Sequence, residues 1–175
     1  MTALVLGAAW PAAAAAVTVR VERDGDDVVI EASALLRTDA STAWRILTDY
    51  DRYPDFIPGL HSSRIVARRG DRLTVTQSGD APLGLLRIPV DITYEVTELP
   101  PNRLESTASA SPLRAFESSY RLTPTALGVR LDYAGRLTTR SAWLGRIEQA
   151  AMQRSVVRDF EALADEMERA AGASK

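Results

Sequence analysis

The sequence predicts an α+β domain, a curved antiparallel β-sheet wrapped around a long C-terminal α-helix, with two short helices after the first strands. Three observations predict it. Short β-rich runs follow one another from Arg64 to Leu137 with only turn-length breaks, which is the order of an antiparallel sheet. Helix-forming segments stand at the two ends of that run. The last of them, Ser141 to Ala170, has no proline and only Gly145 as a helix-weakening residue.

Taken in order, Val17–Val21 alternates apolar with polar residues, Asp24-Gly25-Asp26 is a turn signal, and Val28–Leu36 is a second β-rich run, so the pair reads as a hairpin. Thr38, Asp39 and Ser41 offer N-caps for a short helix over Ser41–Asp49, with Ala43, Trp44 and Leu47 inward. Tyr50–Leu60 carries Pro54, Pro58 and Gly59 and reads as a helical turn followed by loop. Arg64–Arg68 and Leu73–Gln77 are strands joined by Arg69-Gly70-Asp71, and Gly79–Gly84, with Pro82, reads as loop. Leu85–Leu99 is a long strand with Leu86, Ile88, Val90, Ile92, Tyr94 and Val96 on one side; Pro89, on the other, marks a bulge or an edge. Pro100-Pro101-Asn102 turns the chain into strands over Arg103–Ala110, Phe116–Thr123 and Val129–Leu137.

The terminal helix is the informative element. Val156, Phe160, Leu163, Ala164 and Met167 fall three and four apart on one face. Trp143, Leu144, Ile147 and Ala151 form an apolar group nearly opposite, at roughly 100° per residue. On the core-side line the first half offers Gly145, Gln149, Met152 and Gln153 instead. Either the helix bends near Met152–Arg154 and buries both stripes, or it is continuous and leaves space between its first half and the sheet.

Totals restrict the function. The chain has 175 residues, 46% hydrophobic and 25% charged, ordinary for one folded domain. A net charge of −2 argues against a nucleic-acid binder. There is no cysteine, so thiolate chemistry and disulfides are excluded, and a single histidine, His61, excludes a multi-histidine metal site. No cofactor is expected. Met1–Ala16 carries no charge and ends in an alanine run, with Ala14 and Ala16 placed for cleavage before Val17. Residues 1–16 therefore read as a signal peptide and residues 17–175 as a single domain, exported to a periplasm or secreted. The bland alternative is an alanine-rich tail.

The stretch Ser41–Gly59 carries a resemblance. A Trp-containing helix (Trp44), an Asp-Tyr pair (Asp49-Tyr50) and a Phe56-Ile57-Pro58-Gly59 turn resemble the START-like superfamily, in its polyketide cyclase/dehydrase and lipid-transport branch, which includes coenzyme Q-binding proteins. The resemblance covers Val28–Ala170 in element order. It implies a helix-grip fold with an apolar cavity between sheet and helix, occupied by a lipid, quinone or polyketide-like molecule. It carries over no catalytic residue.

Candidate ligand contacts are read on that basis. Phe56 stands where the resemblance places a cavity mouth, with simple packing as the alternative. Tyr94, Tyr120 and Tyr133 share inward strand parity, and each buried hydroxyl needs a backbone, water or ligand partner. Gln149, Met152 and Gln153 lie on the helix line toward the sheet. His61 beside Ser62 and Ser63 invites a hydrolase reading, but strand neighbours point to opposite faces, and an exposed polar residue is expected. Asp49, Asp51 and Asp55 lack the glycine and terminal glutamate of a calcium loop and read as capping groups. Arg68, Arg69 and Arg72 form a basic tip, a solvated turn or a weak site for anionic headgroups, so transient membrane or protein contact stays open.

A hydrophobic-ligand carrier is the leading expectation. A cyclase or dehydrase-type enzyme is the second, set back because the inferred inward lines show no carboxylate or histidine to act as acid or base. A partner-binding domain with a filled core, exposing Trp143, Leu144 and Ile147, is the third.

Overall fold

Alternation sets the first hairpin. In β2 (Asp27–Leu36) every second residue, Val28, Ile30, Ala32, Ala34 and Leu36, is buried, and β1 (Val17–Asp24) pairs with it residue for residue. Gly25, at φ +63°, opens the two-residue turn between them. The computed structural model describes residues 16–83, 86–108, 113–139 and 149–173. The expected signal peptide, apart from Ala16, lies outside the described residues, as do Trp143, Leu144, Gly145 and Ile147.

The chain then leaves the sheet for α1 (Ala40–Leu47). Asp39 caps it, its carboxylate accepting from Thr42 N at 2.8 Å and from the Ser41 hydroxyl. Ala43, Ile46 and Leu47 are buried, while Trp44 is half-buried against the same core. A 3₁₀ turn (Tyr50–Arg52) and α2 (Tyr53–Phe56) complete the excursion. Asp51 accepts from Ile65 N at 3.0 Å and Asp55 pairs with Arg52, so these carboxylates hold local structure.

The remaining strands are β3 (Leu60–Arg69), β4 (Arg72–Leu83), β5 (Leu86–Leu99), β6 (Arg103–Ala108), β7 (Leu113–Thr125) and β8 (Gly128–Thr139). They join the first two in one antiparallel sheet of eight strands, ordered β1-β2-β8-β7-β6-β5-β4-β3. Two proline expectations are settled by position. Gly79–Leu83, expected to be loop, continues β4, because beyond Gly79 the strand has lost its β3 partner and Pro82 sits on a stretch paired only with β5. Pro89 pairs across from Asp80 without a register shift, so it marks no bulge, and among the described residues β6 meets β5 only from Tyr94 onward, which leaves Pro89 on an edge there.

The last element, α3 (Gln149–Ala173), runs unbroken through Met152–Arg154, so of the two alternatives the bend does not occur within it. It lies against β1, β2 and α1. Phe160, Leu163, Ala164 and Met167 are buried from it into a core that also holds Leu36, Ile46, Leu47, Leu73, Leu122 and Leu131. Glu166, at the edge of that face, is buried under a two-point pairing from Arg169 (2.7 and 2.6 Å) with Arg52 nearby at 3.5 Å. This is a helix-grip fold, with the curved sheet holding the terminal helix.

Candidate ligand-binding site

Two glycines build an opening at one end of the helix. After α2 the chain turns through Ile57-Pro58-Gly59, with Gly59 at φ +84°, a left-handed conformation that side chains disfavour. Gly59 O then accepts from Asp80 N at 2.9 Å, crossing close over β4. The crossing is tight: a Cβ on Gly79 would stand 2.6 Å from Gly59 O and 3.2 Å from Leu60 Cα.

Between this crossing, the end of the β4–β5 ribbon and the first turns of α3 lies a chamber of about 320 Å³. Its walls are mostly apolar, with Ile57, Val90, Ile92, Leu137, Met152 and Val156 among them. Val156, on the expected buried stripe, is only half-buried because it faces this space. The polar lining is sparse. Gln77 donates to Ser63 Oγ at 3.1 Å, Asp80 pairs with exposed His61 at 3.0 Å, and Ser78, Tyr94, Ser155, Arg158 and Asp159 complete it. His61 is paired with Asp80 and with neither adjacent serine; Ser62 bonds Ser78 at 2.7 Å instead.

Asp159 was not expected. Arg158 Nε and Nη2 both donate to its Oδ1, at 3.0 and 2.9 Å. Burial pushes the carboxyl above its ordinary range, against the pull of Arg158 and the Ser155 hydroxyl. The absence of an inward carboxylate in the sequence reading is thus corrected: Asp80 and Asp159 both line the chamber. The signal was present, since Met152, Val156 and Asp159 follow one another at steps of four and three on one helix face.

The seven expected contacts separate. Tyr94 and Met152 line the chamber. Tyr120 and Tyr133 meet at a tilt of 48° and pack against the main core, ring centroids 4.7 Å apart. Burial raises all three tyrosine hydroxyls, that of Tyr133 to about 12, with Ser118 opposing. Among the described residues the hydroxyls of Tyr94 and Tyr120 have no hydrogen-bond partner. Phe56 packs edge-on against Tyr53 at 5.5 Å and onto the main core. Gln149 and Gln153 face the sheet as parity required, but at its margin: their amides donate to the carbonyls of Val21 and Val19 on β1, the outermost strand. Those outward carbonyls would otherwise be a bare sheet edge.

Among the described residues no three His, Asp or Glu side chains converge as a metal would need, and no helix is long and apolar enough to cross a membrane.

Comparison with known proteins agrees with this geometry. No match was found among curated protein sequences. Among solved structures, the Zhui aromatase/cyclase from Streptomyces sp. R1128 superposes with a TM-score of 0.69 at 16% identity, covering 82% of this chain and 94% of that one. TTHA0849 from Thermus thermophilus gives 0.67 at 17% identity, over 85% and 99% of the two chains. A STAR-related lipid transfer protein fragment from Xanthomonas axonopodis gives 0.63 at 14% identity, over 91% and 96%. At these identities the likeness is one of fold. The family model for polyketide cyclase/dehydrase and lipid transport matches residues 27–172, and the chain belongs to that family.

Proposed function

We propose that this protein binds a hydrophobic small molecule, of lipid, quinone or polyketide-like character, in the chamber beside α3 and carries it. The observation that supports this reading is the chamber itself: about 320 Å³ of mostly apolar-walled space at the sheet–helix junction, where a filled core would leave none. Burial of apolar ligand surface would supply the affinity, at about 25 cal/mol per Å².

The test is titration with the apolar fluorophore N-phenyl-1-naphthylamine. Saturable uptake of one fluorophore per chain is expected, abolished in Val156→Trp, whose indole projects into the chamber and leaves too little room for the fluorophore, while the far-UV circular dichroism is unchanged. Absence of uptake by the wild type, or equal uptake by Val156→Trp, would contradict the reading.

One observation favours catalysis as a second reading. Asp159 is a chamber carboxyl raised by burial, the kind of group a cyclase or dehydrase would use as acid or base. Turnover of a polyketide-like substrate that is lost in Asp159→Asn would establish it.

Export is part of the proposal, supported by the uncharged, alanine-rich Met1–Ala16 segment. An intact mass beginning at Val17 in protein recovered from outside the cytoplasm is the expected result.

A further inference from the structure

The polar groups of the chamber are few enough to say what part of a ligand they suit. Asp159 is the central one. Both bonds from Arg158 fall on Oδ1, so Oδ2 is an acceptor that Arg158 does not occupy. The guanidinium is committed as well. Its Nη2 also donates to Ser155 Oγ at 3.2 Å and reaches Pro58 O at 3.4 Å, across the mouth. The chamber's other charged group, Asp80, is a second carboxylate, paired outward with His61. An anionic ligand would therefore meet two carboxylates and, among the described lining residues, a single cation already engaged. Besides Arg158, only the Ser155 hydroxyl bonds this carboxylate among the described residues, and a ligand without polar atoms would displace water from it and offer no donor in return, which is costly in an apolar space. Tyr94 adds a hydroxyl that has no partner among the described residues and can donate.

We propose that the chamber selects an apolar molecule bearing an uncharged hydroxyl group, which donates to Asp159, over a fatty-acid-type carboxylate or a molecule whose oxygen cannot donate. A hydroxyl supplies the donor that a carboxylate oxygen accepts, which an ether oxygen and a carboxylate do not. The chamber volume of about 320 Å³ is at the lower end for small-molecule sites, about 300–1,000 Å³, so the molecule is small or only its hydroxylated end is enclosed. This inference rests on the chamber being the ligand site.

Displacement of N-phenyl-1-naphthylamine by three chain-matched compounds tests it: 1-decanol, 1-methoxydecane and decanoate at pH 7. For the wild type, decanol is expected to displace the fluorophore at roughly a tenth of the concentration that either other compound needs, the discrimination that one charge-assisted hydrogen bond supplies. In Asp159→Ala the preference for decanol over the ether disappears. In Asp159→Asn decanoate gains at least threefold, because the repelling charge is gone while the shape is kept. Equal displacement by all three compounds, or decanoate binding best to the wild type, overturns the hydroxyl assignment while leaving the chamber as a ligand site. Failure of the fluorophore itself to bind removes the chamber reading underneath it.

Discussion

Replacing Gly79 with alanine should pry open the chamber mouth. The new methyl group would lie 2.6 Å from Gly59 O, 3.2 Å from Leu60 Cα and 3.4 Å from Gly59 C. All three are backbone atoms, so no side-chain rotation relieves the clash, and the Ile57–Leu60 segment must lift away from β4. Overpacking of this kind costs about 1–3 kcal/mol. Lifting the segment also breaks the hydrogen bond from Asp80 N to Gly59 O, worth about 1 kcal/mol. The total, about 2–4 kcal/mol, corresponds to a melting temperature roughly 4–16 °C lower for a chain of this size. Gly25→Ala is the control for a glycine replacement without a clash. Gly25, unlike Gly79, is left-handed, at φ +63°, but a Cβ there meets nothing within 4 Å, so only backbone strain of about 1–2 kcal/mol applies. Differential scanning fluorimetry with N-phenyl-1-naphthylamine titration separates the two. Gly79→Ala should lose stability and change fluorophore affinity; Gly25→Ala should lose less stability and keep wild-type affinity. A Gly79→Ala protein melting within about 2 °C of wild type, with unchanged fluorophore affinity, refutes the close-crossing argument.

Three further predictions concern the helix and the tyrosines. Gln149→Ala combined with Gln153→Ala removes two side chain–backbone bonds to β1 and should lower the melting temperature by a few degrees, with fluorophore affinity within about twofold of wild type. A large affinity loss at constant stability would make these glutamines ligand contacts instead. Arg169 and Arg52 hold the Glu166 carboxyl below its ordinary value, so its ionised form stabilises the fold above about pH 4.3 and that contribution is lost as pH falls through the lowered folded-state value. Melting curves between pH 6 and pH 3 should show a steeper acid loss for wild type than for Arg169→Met, and parallel curves would contradict the pairing. Tyr94→Phe removes a hydroxyl with no partner among the described residues and should change stability by less than about 1 kcal/mol in denaturant unfolding. A loss well above that would reveal a hydrogen bond the geometry does not contain.

Much of the fold was legible because it rests on local rules. The alternation of Val28–Leu36, the Asp39 cap and the Val156–Met167 stripe are each fixed by residues close together in sequence. What was misread depended on neighbours distant in sequence. Pro82 argued for a loop, yet a strand tolerates it once one neighbour is gone, and only the sheet order shows where β3 and β6 stop. The glutamines show the same limit at the site. Helical periodicity places Gln149 and Gln153 on the sheet side of α3, but not how far across the sheet the helix lies; over β1 that side meets an edge, whereas under Met152 and Val156 it meets the chamber. Asp159 was legible in principle from its spacing to Val156. Its value depends on Ile57–Leu60 and β4 enclosing it, contacts that span much of the chain.

Native mass spectrometry of the protein, purified from its own cells without detergent and followed by solvent extraction, tests the binding of a hydrophobic molecule most directly. The expected result is a stoichiometric apolar adduct on the wild-type chain that is missing from Val156→Trp purified in the same way. An adduct retained by Val156→Trp would place the ligand elsewhere. A bare mass for the wild type, in a protein that also fails to take up N-phenyl-1-naphthylamine, would contradict the chamber as a binding site.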